Sequence, residues 1–100
     1  MAEYSVLLSP KAARDLEEIW RYVTDAFQER STADALLDSI ETAVLSLESL
    51  PYRCPERRVG AFKGRGFRQM IVHNYIIIYR IDEETKTVTV YTVVYSGRNI

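Results

Sequence analysis

Cysteine and histidine are almost missing from this chain of 100 residues, and each shortage closes off a class of function. Cys54 is the only cysteine, so no internal disulfide can form and a reducing compartment, the cytoplasm, is the expected location. Its neighbours are basic, but no histidine lies near it in sequence to complete a nucleophile–base pair. His73, the only histidine, falls between two strand-like runs, where a turn residue is its ordinary role. No Cys/His cluster has the spacing of a metal site, so neither a metal nor a cofactor is expected. The G-x-G-x-x-G, P-loop and H-E-x-x-H motifs are absent as well. No apolar run approaches the ~20 residues that span a bilayer. The N-terminus lacks the basic-then-apolar layout of a secretory signal, and no membrane partner is expected.

What is present argues for a packed globule. The hydrophobic share is 47% and there are seven tyrosines, against disorder. The length suits one domain, residues 1–100, with a single modest core. The net charge of −1 hides a strong division. Residues 1–50 carry four Lys/Arg against ten Asp/Glu, a balance of −6, whereas residues 53–80 carry seven against one, a balance of +6. A basic block on an acidic protein points to a polyanion or an acidic protein surface as partner, with an ordinary solvated loop as the plain alternative.

The stretch Gly66–Arg80 organises the rest. Two β-rich runs flank His73-Asn74, which predicts a tight hairpin with Val72 opposite Tyr75, Met70 opposite Ile77 and Arg68 opposite Tyr79. One face then carries Arg68, Met70, Val72, Tyr75, Ile77 and Tyr79, and the other carries Phe67, Gln69, Ile71, Ile76, Ile78 and Arg80. The run from Tyr75 to Ile81 is apolar at nearly every position, so it belongs in the interior of a sheet.

Tyr4–Leu8 reads as a short strand, and Ser9-Pro10 starts a helix with Ser9 as its cap. Leu16, Ile19, Trp20, Val23 and Phe27 make its apolar stripe, while Asp15, Glu17 and Glu18 are expected near its positive end. Trp20 and Tyr22 are interaction candidates, but a core role is the expectation for aromatics on such a stripe. A second helix opens at Ser31–Asp34, with an acid in its first turn and a stripe of Leu36, Leu37, Ile40, Val44 and Leu47. Residues 51–65 form an irregular, Arg-rich segment, a candidate functional loop. A polar turn at Asp82–Lys86 leads to a strand of alternating Thr and Val from Thr87 to Val94. The fold class is therefore α+β, in the order β-α-α-β-β-β. Two antiparallel helices pack on one face of a small antiparallel sheet, and the first strand joins an edge.

The opening YSVLLSPKAARDLEEIWRYV, the turn LESLPYRCPERR, the hairpin GFRQMIVHNYIIIYR and the close VYTVVYSGRN together resemble the RelE/ParE superfamily of toxins from bacterial type II toxin–antitoxin modules. The resemblance implies a toxin that inhibits growth and is neutralised by a cognate antitoxin, whose C-terminal segment wraps the helices and sheet. It also implies one of two activities. RelE-like members cut messenger RNA on the ribosome with basic residues on the sheet and a C-terminal Arg or Tyr. ParE-like members poison DNA gyrase without cutting RNA.

Many ribonuclease members carry a Tyr-Arg-x-x-Tyr pattern, in which an Arg follows the tyrosine that opens the central strand. Here Ile76 follows Tyr75, and Gln69 and Ile71 face it from the preceding strand. Of the catalytic set only weak candidates remain: Arg68, Tyr95 and Arg98. The Gly66-Phe67-Arg68 opening, the Tyr79-Arg80 end of the central strand and the terminal Arg98 resemble the ParE-like branch. The favoured expectation is therefore a gyrase poison without enzymatic activity, binding its target or antitoxin through Arg57, Arg58, Lys63, Arg65, Arg68, Arg80 and Arg98. The alternatives are a ribosome-dependent messenger RNA endonuclease and a non-toxic binding module.

Overall fold

Ser9 decides where the first strand stops. Its hydroxyl accepts a hydrogen bond from the Ala12 N–H at 3.0 Å and donates to the Tyr91 carbonyl at 2.8 Å, so one residue caps the helix and ties it to the sheet. In a computed structural model describing residues 3–97, the elements are β1 (Ser5–Leu8), α1 (Pro10–Phe27), α2 (Arg30–Leu45), β2 (Phe67–Val72), β3 (Tyr75–Asp82) and β4 (Thr87–Tyr95). Short 3₁₀ turns at Ser46–Glu48 and Pro51–Arg53 follow α2. Gln28, left-handed at φ 51°, ends α1 and reverses the chain into α2.

The sheet order is β1-β4-β3-β2, which places β3 in the interior as its apolar sequence predicts. The β2–β3 register matches the expected pairs, with Val72 opposite Tyr75, Met70 opposite Ile77 and Arg68 opposite Tyr79. His73 takes φ 54° at the hairpin tip. The expectation of a wholly antiparallel sheet needs correction, because β1 runs parallel to β4 and the sheet is mixed. Chain travel explains this. α1 continues away from the end of β1, and α2 returns the chain to its start, where the Glu48 carbonyl accepts the N–H groups of Glu3 and Tyr4 at 3.0 and 3.1 Å. Three alternating strands from that point leave β4 pointing the same way as β1.

Between helices and sheet lies the main core of Leu16, Ile40, Val44, Leu47, Met70, Ile77, Tyr79, Val88, Val90 and Val93. Val23 is buried too, and Ile19 and Leu36 are half-buried. Trp20 departs from expectation. It sits half-buried between the helices and donates its indole N–H to Asp34 Oδ1 at 2.8 Å, the usual compromise for a ring with one polar atom. Asp34 is accordingly no first-turn acid, since α2 already begins at Arg30. Phe27, the last residue of α1, is 64% exposed.

Asp15 lies in the second turn of α1 and serves the sheet rather than the helix dipole. Beyond Val90 the outer edge of β4 has no partner strand among the described residues, and Asp15 Oδ2 accepts from the Val93 N–H at 3.1 Å and the Thr92 hydroxyl at 2.5 Å. A capped edge is protected from stray pairing. Strict alternation would send Thr92 to the core with Val90. A register shift between Ile78 and Tyr79 places Thr92 opposite Ile78 and Val93 opposite Ile77, which keeps a valine in the core.

Candidate functional site

The Arg-rich loop owes its position to a set of hydrogen bonds at the base of the sheet. Tyr79 is fully buried and donates its hydroxyl to the Pro51 carbonyl at 2.6 Å. Burial pushes this phenol well above its ordinary pKa, so it stays a donor. Arg68 donates to the Cys54 carbonyl at 2.6 Å and stacks 5.0 Å over the Tyr52 ring. Arg53 reaches the carbonyls of Ser46, Ser49 and Leu50 at 3.1–3.3 Å. Tyr52 and Tyr4 both donate to the Glu83 carboxylate, at 2.5 and 3.0 Å, and Lys86 is ion-paired to it. The Lys86 ammonium and the Tyr52 hydroxyl hold the Glu83 pKa at about 2.

From this anchor the loop runs along β2 and over the second sheet face. The Arg57 N–H bonds the Phe67 carbonyl at 2.7 Å, and the Gln69 N–H bonds the Pro55 carbonyl at 3.1 Å, so residues 55–57 cover part of the outer edge of β2. The Arg57 side chain is buried and donates to Gln69 Oε1 at 2.8 Å and to the Ala61 carbonyl at 3.1 Å. Phe62, left-handed at φ 71°, packs edge-on against Phe67 at 5.0 Å, and Phe67 meets Tyr91 at 4.9 Å. Glycines 60, 64 and 66 are left-handed as well, which lets so short a segment fold back on itself. Arg80, directly opposite Phe67, places its guanidinium 5.6 Å over that ring.

The predicted basic residues thus divide in two. Arg57 and Arg68 are held by protein carbonyls and Gln69, and Arg68 also approaches Glu56 at 3.9 Å. Arg58, Lys63, Arg65 and Arg80 are exposed, and among the described residues no carboxylate pairs with them. Arg68 and Arg80 lie on opposite sheet faces, as their register requires. Tyr95 pairs with Tyr75 on the helix side, its ring 5.8 Å from that tyrosine, away from Arg80. Arg98 lies outside the described residues. No group of three or more His, Cys, Asp or Glu side chains able to hold a metal occurs among the described residues. None of the described helices is long and apolar enough to cross a membrane.

A second surface lies at the opposite end, where α1 passes the hairpin tip. A groove of about 900 Å³ is lined by Ile19, Tyr22, Phe27, Leu36, Tyr75 and Tyr95, with Asp15 and Glu18 also in its wall. Tyr22 is 71% exposed. The core role expected for Tyr22 therefore needs correction: it is off the Leu16–Ile19–Val23 positions that face the sheet, and its ring lines the groove instead. Phe27, which is on the stripe, is exposed at the last position of α1, and no local pattern marked that. Nor did the sequence mark the aromatic group of Phe62, Phe67 and Tyr91, because its members come from three separate segments.

Comparison with known proteins finds a family match over almost the whole chain. The family model of the ParE toxin of the type II toxin–antitoxin system parDE matches residues 6–100. No curated protein matches the chain. Among solved structures, the chain is similar to one from the chromosomal ParDE toxin–antitoxin system of P. aeruginosa. The TM-score is 0.77 at 17% identity, covering 93% of this chain and 96% of the other. The RelBE2 toxin–antitoxin complex of Mycobacterium tuberculosis gives a TM-score of 0.67 at 21% identity, covering 93% and 98%. The archaeal RelE–RelB complex of Pyrococcus horikoshii gives 0.65 at 15% identity, covering 96% and 98%. At these identities the structural likeness carries the fold.

Proposed function

The chain belongs to the ParE toxin family of type II toxin–antitoxin systems, and from that premise we propose that it arrests bacterial growth by poisoning DNA gyrase and is neutralised by a cognate antitoxin. The observation that carries the choice of target is the composition of the loop-bearing sheet face. Gln69, Ile71 and Ile76 stand where the ribonuclease branch of the superfamily would need cations, Ile71 directly opposite Ile76 and Gln69 opposite Ile78. The Gln69 amide oxygen is already engaged by Arg57. A phosphoryl-transfer centre without such donors forfeits about 3 kcal/mol of transition-state stabilisation for each one missing. Arg68, on the other face and tied to backbone carbonyls, does not replace them. Binding to a target by exposed cations remains open to this surface, with Arg58, Lys63, Arg65 and Arg80 as its contact residues.

The antitoxin has a separate place to dock. The apolar groove between α1 and the hairpin tip suits a segment that folds on binding, because such a segment needs buried apolar area to offset its ordering entropy. Two of the similar structures are toxin–antitoxin complexes, which supports a partner of this kind.

Induced expression without a partner tests the reading. Filamentation and a DNA-damage response, with messenger RNA intact, are the expected result. Codon-positioned cuts in translating messages would overturn it in favour of the ribosomal activity, and normal growth with abundant folded protein would overturn toxicity altogether.

A further inference from the structure

We infer that the sheet face bearing Arg80, with the loop cations Arg58, Lys63 and Arg65, grips the sugar–phosphate backbone of DNA without reading its bases. The inference deepens the gyrase reading and rests on it for its setting: a toxin acting on gyrase meets the enzyme on DNA.

Four features support it. First, the seven cations of residues 53–80 are sorted by the fold. Arg53, Arg57 and Arg68 are spent on protein acceptors, while Arg58, Lys63, Arg65 and Arg80 reach solvent with no carboxylate partner among the described residues. Unpaired cations gathered on one loop and the adjoining strand are the footprint of a polyanion site. Second, most of the acids lie elsewhere: ten of the fourteen fall in residues 1–50, which hold both helices and carry −6, while Glu56 approaches Arg68 and Asp82–Glu84 follow Arg80 where β3 ends. A molecule so divided is steered toward a polyanion with one face forward despite a net charge of −1.

Third, Arg80 is shaped for phosphate. Stacked on the Phe67 ring at 5.6 Å, its guanidinium is steadied on one side while its edge N–H groups stay available for a bidentate contact. Fourth, the platform beneath it is closed to bases. Phe67 is only 5% exposed, walled by Phe62 and Tyr91, so no free ring face remains for a base to stack on. Contacts of this kind position a protein on the backbone without specifying sequence. An acidic protein segment is the competing occupant, but the groove suited to anchoring apolar side chains lies at the far end, by the hairpin tip.

The test is fluorescence anisotropy of the purified toxin with labelled 20-base-pair duplexes of unrelated sequence, without gyrase, across ~25–200 mM KCl. Four phosphate contacts predict a slope of log K against log salt near −3.5, from about −0.9 per contact. Arg80→Gln reduces the slope by about 1, and the Arg58→Gln/Lys63→Gln/Arg65→Gln triple variant leaves about −1. All duplexes bind alike. Circular dichroism confirms that each variant is folded.

No binding at ~25 mM salt by folded toxin would overturn the inference. So would a slope indifferent to these substitutions, or tighter binding to poly-glutamate than to DNA. Failure here with gyrase still inhibited sinks the DNA contact and spares the target. Normal DNA binding with gyrase unaffected sinks the target and spares the contact.

Discussion

Replacing Tyr79 by Phe removes one oxygen atom from the centre of the molecule, and its cost follows from the surroundings. Tyr79 has no exposed surface, and its hydroxyl donates to the carbonyl of Pro51, itself almost fully buried, at 2.6 Å. Phe fills the same space, so no cavity arises and the transfer energy of the ring is kept. What is lost is a net hydrogen bond of about 0.5–1.5 kcal/mol, and the carbonyl left without a partner brings the total to roughly 1–3 kcal/mol. We expect a loss of about 2 kcal/mol. For a domain of this size that lowers the melting temperature by roughly 8–16 °C, measured by circular dichroism and checked by urea denaturation. Tyr52→Phe is the internal control. Its hydroxyl bonds Glu83 on the exposed surface, so its removal should cost no more than about 0.5 kcal/mol. Equal losses for the two variants, or a loss below about 0.5 kcal/mol for Tyr79→Phe, would refute the view that this bond anchors the loop.

Further expectations can be checked on the same protein. Trp20→Ala, by denaturation, should cost about 1–2 kcal/mol instead of the 3–5 kcal/mol of a fully buried tryptophan, because the ring is only half-buried. Burial by itself would raise the Asp15 pKa, but hydrogen bonds from Thr92, Lys11 and the Val93 N–H outweigh it, and the net shift is downward. Its stabilising effect is therefore present above about pH 4, its unfolded pKa, and is lost as pH falls through the lower folded value. Asp15→Asn should accordingly be less stable than the parent at pH 6, with the difference shrinking in acid. Glu83, held at about 2, behaves the same way, and Glu83→Gln should flatten the acid limb of stability between about pH 4 and pH 2. Tyr22→Lys should abolish antitoxin rescue of growth while leaving the free toxin folded and active.

The hairpin was legible because period-2 apolarity and a two-residue turn fix register together, and the pairs around Met70–Ile77 fell where the sequence put them. The helix stripes were legible for the same kind of reason. The parallel pairing of β1 was not, since it depends on where α2 ends relative to Tyr4, which no local pattern encodes. Trp20 misled because its spacing matches the core stripe, while its polar nitrogen found Asp34 on the neighbouring helix.

At the candidate site, sequence supplied the cations but could not sort them. Arg57 and Arg58 are adjacent and look alike, yet one is buried against Gln69 and the other faces solvent. That distinction comes from the left-handed residues that fold the loop over Phe67, and from aromatic partners far apart in the chain.

The most direct test of the central claim is a supercoiling assay with purified gyrase, relaxed plasmid and ATP, titrated with folded toxin. Inhibition with accumulation of cleaved plasmid, relieved by charge neutralisation at Arg58, Lys63, Arg65 and Arg80, is the predicted result. Unimpaired supercoiling at a large molar excess of folded toxin, alongside growth arrest in cells, would contradict it.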